Sequence, residues 1–304
     1  HPESIADWCN RVAEHSPHAN AHFEYHGGEP FLAPLEDMWK FYNLTRPNWP
    51  NATYGITTNL VHKLTPAKLE FIEKVLDNRV GTSWDPNIRF ENQKQIDLFE
   101  SNIKLLLDRG CTIKLFVSLT RDCVNIEPIK LLKYVKDLGV QEMAIERVTS
   151  NGLATKNLLV FPSNIEMQQW FLKMHEQMIE HDARHWFDNE FMEAVYAKFE
   201  VGFTKAGTFC RDCEQKLFTI NADGTIAGCP NSAPTDHWGH VMEDVGDALT
   251  APKRCQIIAE ELQRDPRCYE CPVYKYCGGD CHQLEWEGDV CPAPKLLMKE
   301  LARC

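Results

Sequence analysis

The sequence predicts an α/β protein: a parallel sheet built from βα units, followed by a loop-rich α+β region dense in cysteine. Three observations carry this. Over the first two-thirds of the chain, short β-rich runs alternate with helical stretches, the signature of βα units and a parallel sheet. After Cys210 the character changes to loops rich in Pro, Gly and Cys. Four cysteines then fall in the run Cys268-X2-Cys271-X5-Cys277-X3-Cys281, a density that suits metal ligation.

Strands are expected at His22–His26, Tyr54–Thr58, Val80–Trp84, Ile113–Leu119 and Met143–Val148. The first four each precede a helical pattern, at Leu35–Tyr42, Pro66–Val75, Gln93–Arg109 and Ile126–Leu138. Thr65 is the expected N-cap of the second of these, with Pro66 at its first helical position. Gly110 and Gly139 stand where helices should stop, each just before a new strand. The opening residues, HPESIADWCNRVAEH, read as an amphipathic helix and not as a signal peptide. From Ser163 to Glu200 the pattern is helical and aromatic, and its rings (Trp170, Phe171, Trp186, Phe187, Phe191, Tyr196) are expected in the core. Leu217–Ile220 and Thr225–Gly228, joined through Asp223-Gly224, predict a hairpin. The expected division is 1–200 for the barrel-like part and 201–304 for the cysteine-rich part.

A chain of 304 residues makes one large domain or two modest ones. Its formal charge of -12 argues against a nucleic-acid substrate. No apolar run approaches the ~20 residues of a membrane span. The odd count of 13 cysteines, and their clustering, favour metal over disulfides. Reduced thiols imply a reducing compartment, hence the cytoplasm.

Two constellations carry chemistry. Cys210, Cys213 and Cys229 lie upstream of the cysteine run and Cys291 follows it, so eight thiolates make two sets of four. Four-thiolate ligation suits a 4Fe–4S cluster as well as structural zinc. The other is His26-Gly27-Gly28-Glu29-Pro30 at the end of the first strand. Two glycines at the carboxyl end of a parallel strand let backbone approach a ligand closely. Carbonyls there can accept from a ligand ammonium, and Glu29 adds negative charge.

Gly27–Pro30 resembles the GGEP motif of radical S-adenosylmethionine (SAM) enzymes, which receives the methionine amine of SAM. Ile56-Thr57-Thr58-Asn59 resembles the "TTNG" strand end of that family, with Leu60 in place of the glycine. Gly81-Thr82-Ser83-Trp84-Asp85 resembles the next strand, usually "SxDG", with Pro86 where glycine is common. The resemblance implies SAM contacts from Gly27, Gly28, Glu29, Thr58 and Ser83. It makes Arg89 the candidate for the SAM carboxylate, since a guanidinium fork suits a carboxylate. Ser118 and Arg147 end the later strands, where such enzymes touch adenine and ribose.

The C-terminal third resembles the SPASM domain of the same superfamily. Cys213-X10-Gly224-X4-Cys229, the run Cys268–Cys281 and Cys291 fit its long gapped pattern. The resemblance then implies two auxiliary 4Fe–4S clusters. Cys210, Cys213, Cys229 and Cys281 would hold the first; Cys268, Cys271, Cys277 and Cys291 would hold the second. Cys255 is a rival to Cys210. Cys9, Cys111, Cys123 and Cys304 are expected to be ordinary thiols.

The CxxxCxxC motif that defines radical SAM enzymes is absent from these 304 residues. The expectation is that a segment before His1 supplies it, with a third, SAM-binding cluster and the first barrel strand. The fold expected is thus a partial parallel (β/α)6 radical SAM barrel followed by a loop-rich α+β SPASM domain. The function implied is hydrogen abstraction by a 5′-deoxyadenosyl radical from a peptide or protein substrate, with a flavodoxin-like or other low-potential electron donor. Thioether or carbon–carbon crosslinking, or side-chain oxidation, is the reaction class. In sulfatase-maturating relatives an aspartate base follows the GX4C cysteine; here that residue is Pro230, and nearby Asp236 and His237 read as loop residues. The alternatives are a non-catalytic iron–sulfur electron-transfer protein and a small-molecule radical SAM dehydrogenase.

Overall fold

The computed structural model describes residues 1–15, 20–150, 160–200 and 213–303. The chain opens with α1 (Pro2–His15), then β1 (His22–Tyr25), α2 (Leu35–Thr45), β2 (Thr53–Thr58), α3 (Pro66–Val75), β3 (Arg79–Trp84) and α4 (Gln93–Asp108). It continues through β4 (Thr112–Leu119), α5 (Arg121–Val124), α6 (Pro128–Leu138), β5 (Glu142–Arg147), α7 (Asn164–Glu180), β6 (Asp188–Asn189) and α8 (Glu190–Ala197). Among the described residues β1 to β6 form one six-stranded sheet in chain order. Every pairing in it is parallel. Helical crossovers between neighbouring parallel strands curl such a sheet into a partial barrel.

Local chemistry explains the boundaries. Thr65 caps α3 by accepting from the Lys68 N–H at 3.4 Å. Gly110 and Gly139 stop α4 and α6 at φ of +80° and +76°, the left-handed conformation that only glycine adopts without strain. Along β4, Ile113, Leu115, Val117 and Leu119 are fully buried and face the helices. Lys114, Phe116 and Ser118 alternate with them and face the barrel interior. β6 went unpredicted because two residues carry no periodicity.

The C-terminal part comprises α9 (Cys213–Lys216), β7 (Thr219–Ile220), β8 (Thr225–Ala227), β9 (Gly239–His240), α10 (Val245–Leu249), α11 (Pro252–Leu262), α12 (Pro266–Tyr269), α13 (Tyr274–Cys277) and α14 (Lys295–Leu301). The expected hairpin is β7–β8, extended by β9 into a small antiparallel sheet. Gly224 turns it at φ +89°, and a Cβ there would lie 2.7 Å from His240 Nε2.

Two hydrophobic cores interleave. Trp8 and Cys9 of α1 are buried with Ile226, Trp238, Val241 and Val245 of the C-terminal part. Leu297 and Met298 of α14 are buried in the barrel core, where α14 packs against α7. Each part thus lends a helix to the other. Each such large apolar side chain contributes about 1.5–3 kcal/mol on burial, so the exchange ties the parts together.

Candidate functional site

The carboxyl ends of β1, β2 and β3 carry the first group of site residues. Gly27 and Gly28 follow β1 at φ +86° and +56°, and a Cβ at either would meet nothing within 4 Å. These glycines are needed for backbone conformation, which leaves their surroundings open to a ligand. Glu29 was expected to offer its charge to that ligand. Instead the carboxylate turns inward: it accepts from Thr58 Oγ1 at 2.7 Å, Phe31 N at 3.0 Å and Asn59 N at 2.6 Å. It therefore ties the loop after β1 to the end of β2.

Leu60 departs from the glycine of the motif in residue type but not in backbone: its φ is +53° and it is completely buried. A left-handed non-glycine residue costs about 1–2 kcal/mol, and burial of the leucine side chain offsets it. Asn102 holds this loop, donating to the Leu60 and His62 carbonyls at 2.8 Å each.

Ser83 is half-buried on β3. Just beyond, Asp85 is 3% exposed and accepts from the Ile88 and Arg89 N–H groups at 2.7 and 3.0 Å. Arg89 Nε lies 3.4 Å from Asp85 Oδ2, buried and without a hydrogen bond. The Asp85 carboxylate thus holds the Arg89 guanidinium by charge at the end of β3.

The barrel interior is polar. Glu24 accepts from Thr57 Oγ1 at 2.7 Å and meets His22 Nε2 at 3.0 Å. A Cβ at Gly55 would collide with that carboxylate. Ser118 pairs in register with Glu146, and Lys114 forms an ion pair with Glu190. Glu146 is exposed to solvent, yet the neighbouring strands and helices partly desolvate its carboxyl. That desolvation pushes it above the ordinary range, with His26, Lys114 and Arg89 opposing the shift and Glu190 adding to it.

Arg147, at the end of β5, is drawn elsewhere. Its guanidinium grips both Asp280 carboxylate oxygens, with Nη2 to Oδ1 at 2.9 Å, and donates to the Pro292 carbonyl at 3.3 Å. Both side chains are buried, 7% and 5% exposed. Asp280 Oδ1 also accepts from the Cys281 N–H at 2.7 Å. The end of the barrel sheet is thus bonded to the cysteine run.

Cys268, Cys271, Cys277 and Cys291 line one pocket with Val273, Tyr274 and Asp280. These are the four residues that the resemblance assigns to the second cluster, and they line the same pocket. Among the described residues no three His, Cys, Asp or Glu side chains converge on a single-ion position.

Cys213 and Cys229 are buried beside two buried carboxylates. Glu261 accepts from Cys213 N at 2.7 Å. Glu214 accepts from Trp238 Nε1 and the Cys229 N–H, and burial pushes its carboxyl up. Cys210 lies outside the described residues, as does Cys304. Cys255 is exposed on α11, its thiol directed at the Thr250 carbonyl. Cys9 and Cys123 are core thiols, each pushed up to about 12 by burial, and Cys111 is buried too. Asp236 pairs with Lys253 at 3.0 Å.

No family model and no curated protein matches the chain. Solved structures do. A structure of anSMEcpe with AdoMet bound superposes with a TM-score of 0.80 at 15% identity, covering 99% of this chain and 87% of that one. The parallel partial barrel of these structures is the fold of this protein. The same relative with AdoMet and the Cp18Cys peptide gives 0.78 at 15% identity, over 98% and 86%. Streptococcus suis SuiB bound to its precursor peptide SuiA gives 0.60 at 13% identity, over 91% and 65%. Residues that sequence reasoning missed are Gln168, Glu214, Glu261 and Asp280. Asp280 had one local signal, its place inside the CX3C spacing; the others had none.

Proposed function

We propose that this protein is a radical SAM enzyme with two auxiliary 4Fe–4S clusters that modifies a peptide or protein substrate. The observation that carries the reading is the pocket shared by Cys268, Cys271, Cys277 and Cys291, set in a fold that solved SAM-bound structures share. When bound, SAM and its reducing cluster supply a 5′-deoxyadenosyl radical, which abstracts hydrogen. The CxxxCxxC motif for that cluster belongs to the resemblance and not to these 304 residues.

The residues present have definite tasks in this reading. The Gly27 and Gly28 carbonyls accept from the SAM ammonium, and Arg89 pairs with its carboxylate. Thr58 and Glu29 fix the loop that carries the glycines, while Ser83 and Ser118 supply hydroxyls along the strand ends. Cys210, Cys213, Cys229 and Cys281 hold the first auxiliary cluster, and the pocket cysteines hold the second. All-cysteine ligation assigns both to electron transfer. A low-potential donor of flavodoxin type fits as the electron source, and no helix among the described residues is long and apolar enough to cross a membrane.

A peptide substrate is favoured because structures of this fold have been solved with peptides bound. Pro230 after Cys229 cannot act as a base, which turns the reading from sulfatase maturation toward crosslinking. The test is anaerobic incubation of the full-length, reconstituted protein with SAM, reductant and candidate peptides. Formation of 5′-deoxyadenosine, and loss of hydrogen mass from the peptide, are expected. No 5′-deoxyadenosine from fully iron-loaded protein would sink the reading. Cys271→Ser is expected to remove one cluster's share of the iron, leaving the other.

A further inference from the structure

We propose that Gln168 sets the reduction potential of the second auxiliary cluster by donating an N–H to the sulfur of Cys291. The inference rests on the reading of the cysteine pocket given above.

Gln168 lies on the first turns of α7, 3% exposed, among the buried Met167, Trp170 and Phe171. A primary amide in such surroundings costs a few kcal/mol unless it is hydrogen-bonded. Its Nε2 donates to the Cys291 carbonyl at 2.7 Å and lies 3.8 Å from Cys291 Sγ. The carbonyl bond decides which end of the amide faces the cysteine, because only the NH2 end can donate. The second proton on that nitrogen is then the one directed at sulfur.

The loop bearing Cys291 is pinned on two more sides. Asn164, one turn earlier on α7, donates to the Glu285 and Val290 carbonyls at 2.9 Å each. Arg147 donates to the Pro292 carbonyl from β5. Tethering is therefore supplied by side chains that do not reach the sulfur, and Gln168 adds a contact that does. An N–H donated to a ligand sulfur withdraws negative charge from it. That favours the more negative, reduced state and raises the potential.

The test is potentiometric titration of the full-length, reconstituted protein followed by electron paramagnetic resonance, with the signal assigned by its loss in Cys271→Ser. Gln168→Met keeps the length and removes the donor; Gln168→Glu keeps the shape and adds negative charge. The expected result is a shift of that one signal to more negative potential in Gln168→Met and further in Gln168→Glu, with iron and sulfide at wild-type content. Asn164→Ala cuts a tether but spares the donor, and its potential is expected to match wild type. An unchanged potential in iron-replete Gln168→Met overturns the proposal. So does loss of iron from both Gln168 variants, which would make the residue a structural tether. A wild-type protein with no second auxiliary cluster defeats the cluster reading itself, before any variant is made.

Discussion

The strand ends that would receive SAM and the pocket that would hold a cluster are built by opposite means. Gly27, Gly28 and Leu60 are placed by backbone conformation, all three at positive φ, and Glu29 reaches only to the adjoining end of β2. The cysteine pocket is placed by long-range side chains: Arg147 and Asp280 are 133 residues apart, and Gln168 and Cys291 are 123 apart. The first arrangement survives as long as local dihedrals do. The second depends on the barrel and the C-terminal part staying docked, which is why two helices are exchanged between their cores.

The largest expected effect probes the docked side. Arg147→Ala leaves the buried Asp280 carboxylate without its guanidinium, and about 3–5 kcal/mol of destabilisation is expected. The double replacement Arg147→Met with Asp280→Leu should recover most of it, since an apolar pair avoids the buried charge. Urea unfolding midpoints decide this; equal losses in the single and double variants would show that the ion pair is not what joins the parts.

A smaller effect probes the local side. Leu60→Ala removes a fully buried side chain and should cost roughly 2–5 kcal/mol. Leu60→Gly removes one carbon more, yet it should be the less harmful of the two by about 1 kcal/mol, because glycine carries no left-handed penalty. If thermal melting ranks Gly below Ala, φ at position 60 is not left-handed in solution.

The smallest effect concerns the barrel interior. The Glu146 carboxyl is raised by desolvation, with Glu190 contributing. A carboxyl raised in the folded state contributes stability that is fully present below its unfolded value, near 4.5, and is lost as pH rises through the folded value. Glu146→Gln should therefore match wild type at pH 4 and gain on it as the pH climbs above that window. Because the side chain retains solvent contact, the gain should be small. A constant difference in melting temperature across pH would remove Glu146 as its cause.

Much of this was legible in the sequence. The five longer strands, the Thr65 cap, the glycine stops and the Asp-Gly turn all follow from short-range sterics and hydrogen bonding, and the structure places each as expected. Leu60 is instructive: a motif read with the wrong residue still kept its backbone. Glu29 was less legible, because its partners sit on the next strand. The two-residue β6 left no pattern to find.

By itself the sequence determined the alternation of the five longer strands with helices, the glycine stops at Gly110 and Gly139, and that eight cysteines fall in a gapped array. These are properties of neighbouring residues, set by dihedral preference and spacing. Only the tertiary structure decided that Cys268, Cys271, Cys277 and Cys291 share one pocket, that Arg147 answers to Asp280, and that Gln168 faces a sulfur. Arg147 and Asp280, and Gln168 and Cys291, lie more than a hundred residues apart. No local preference selects them; they meet because burying both cores in one body leaves these groups no other place to satisfy their charge and hydrogen bonds.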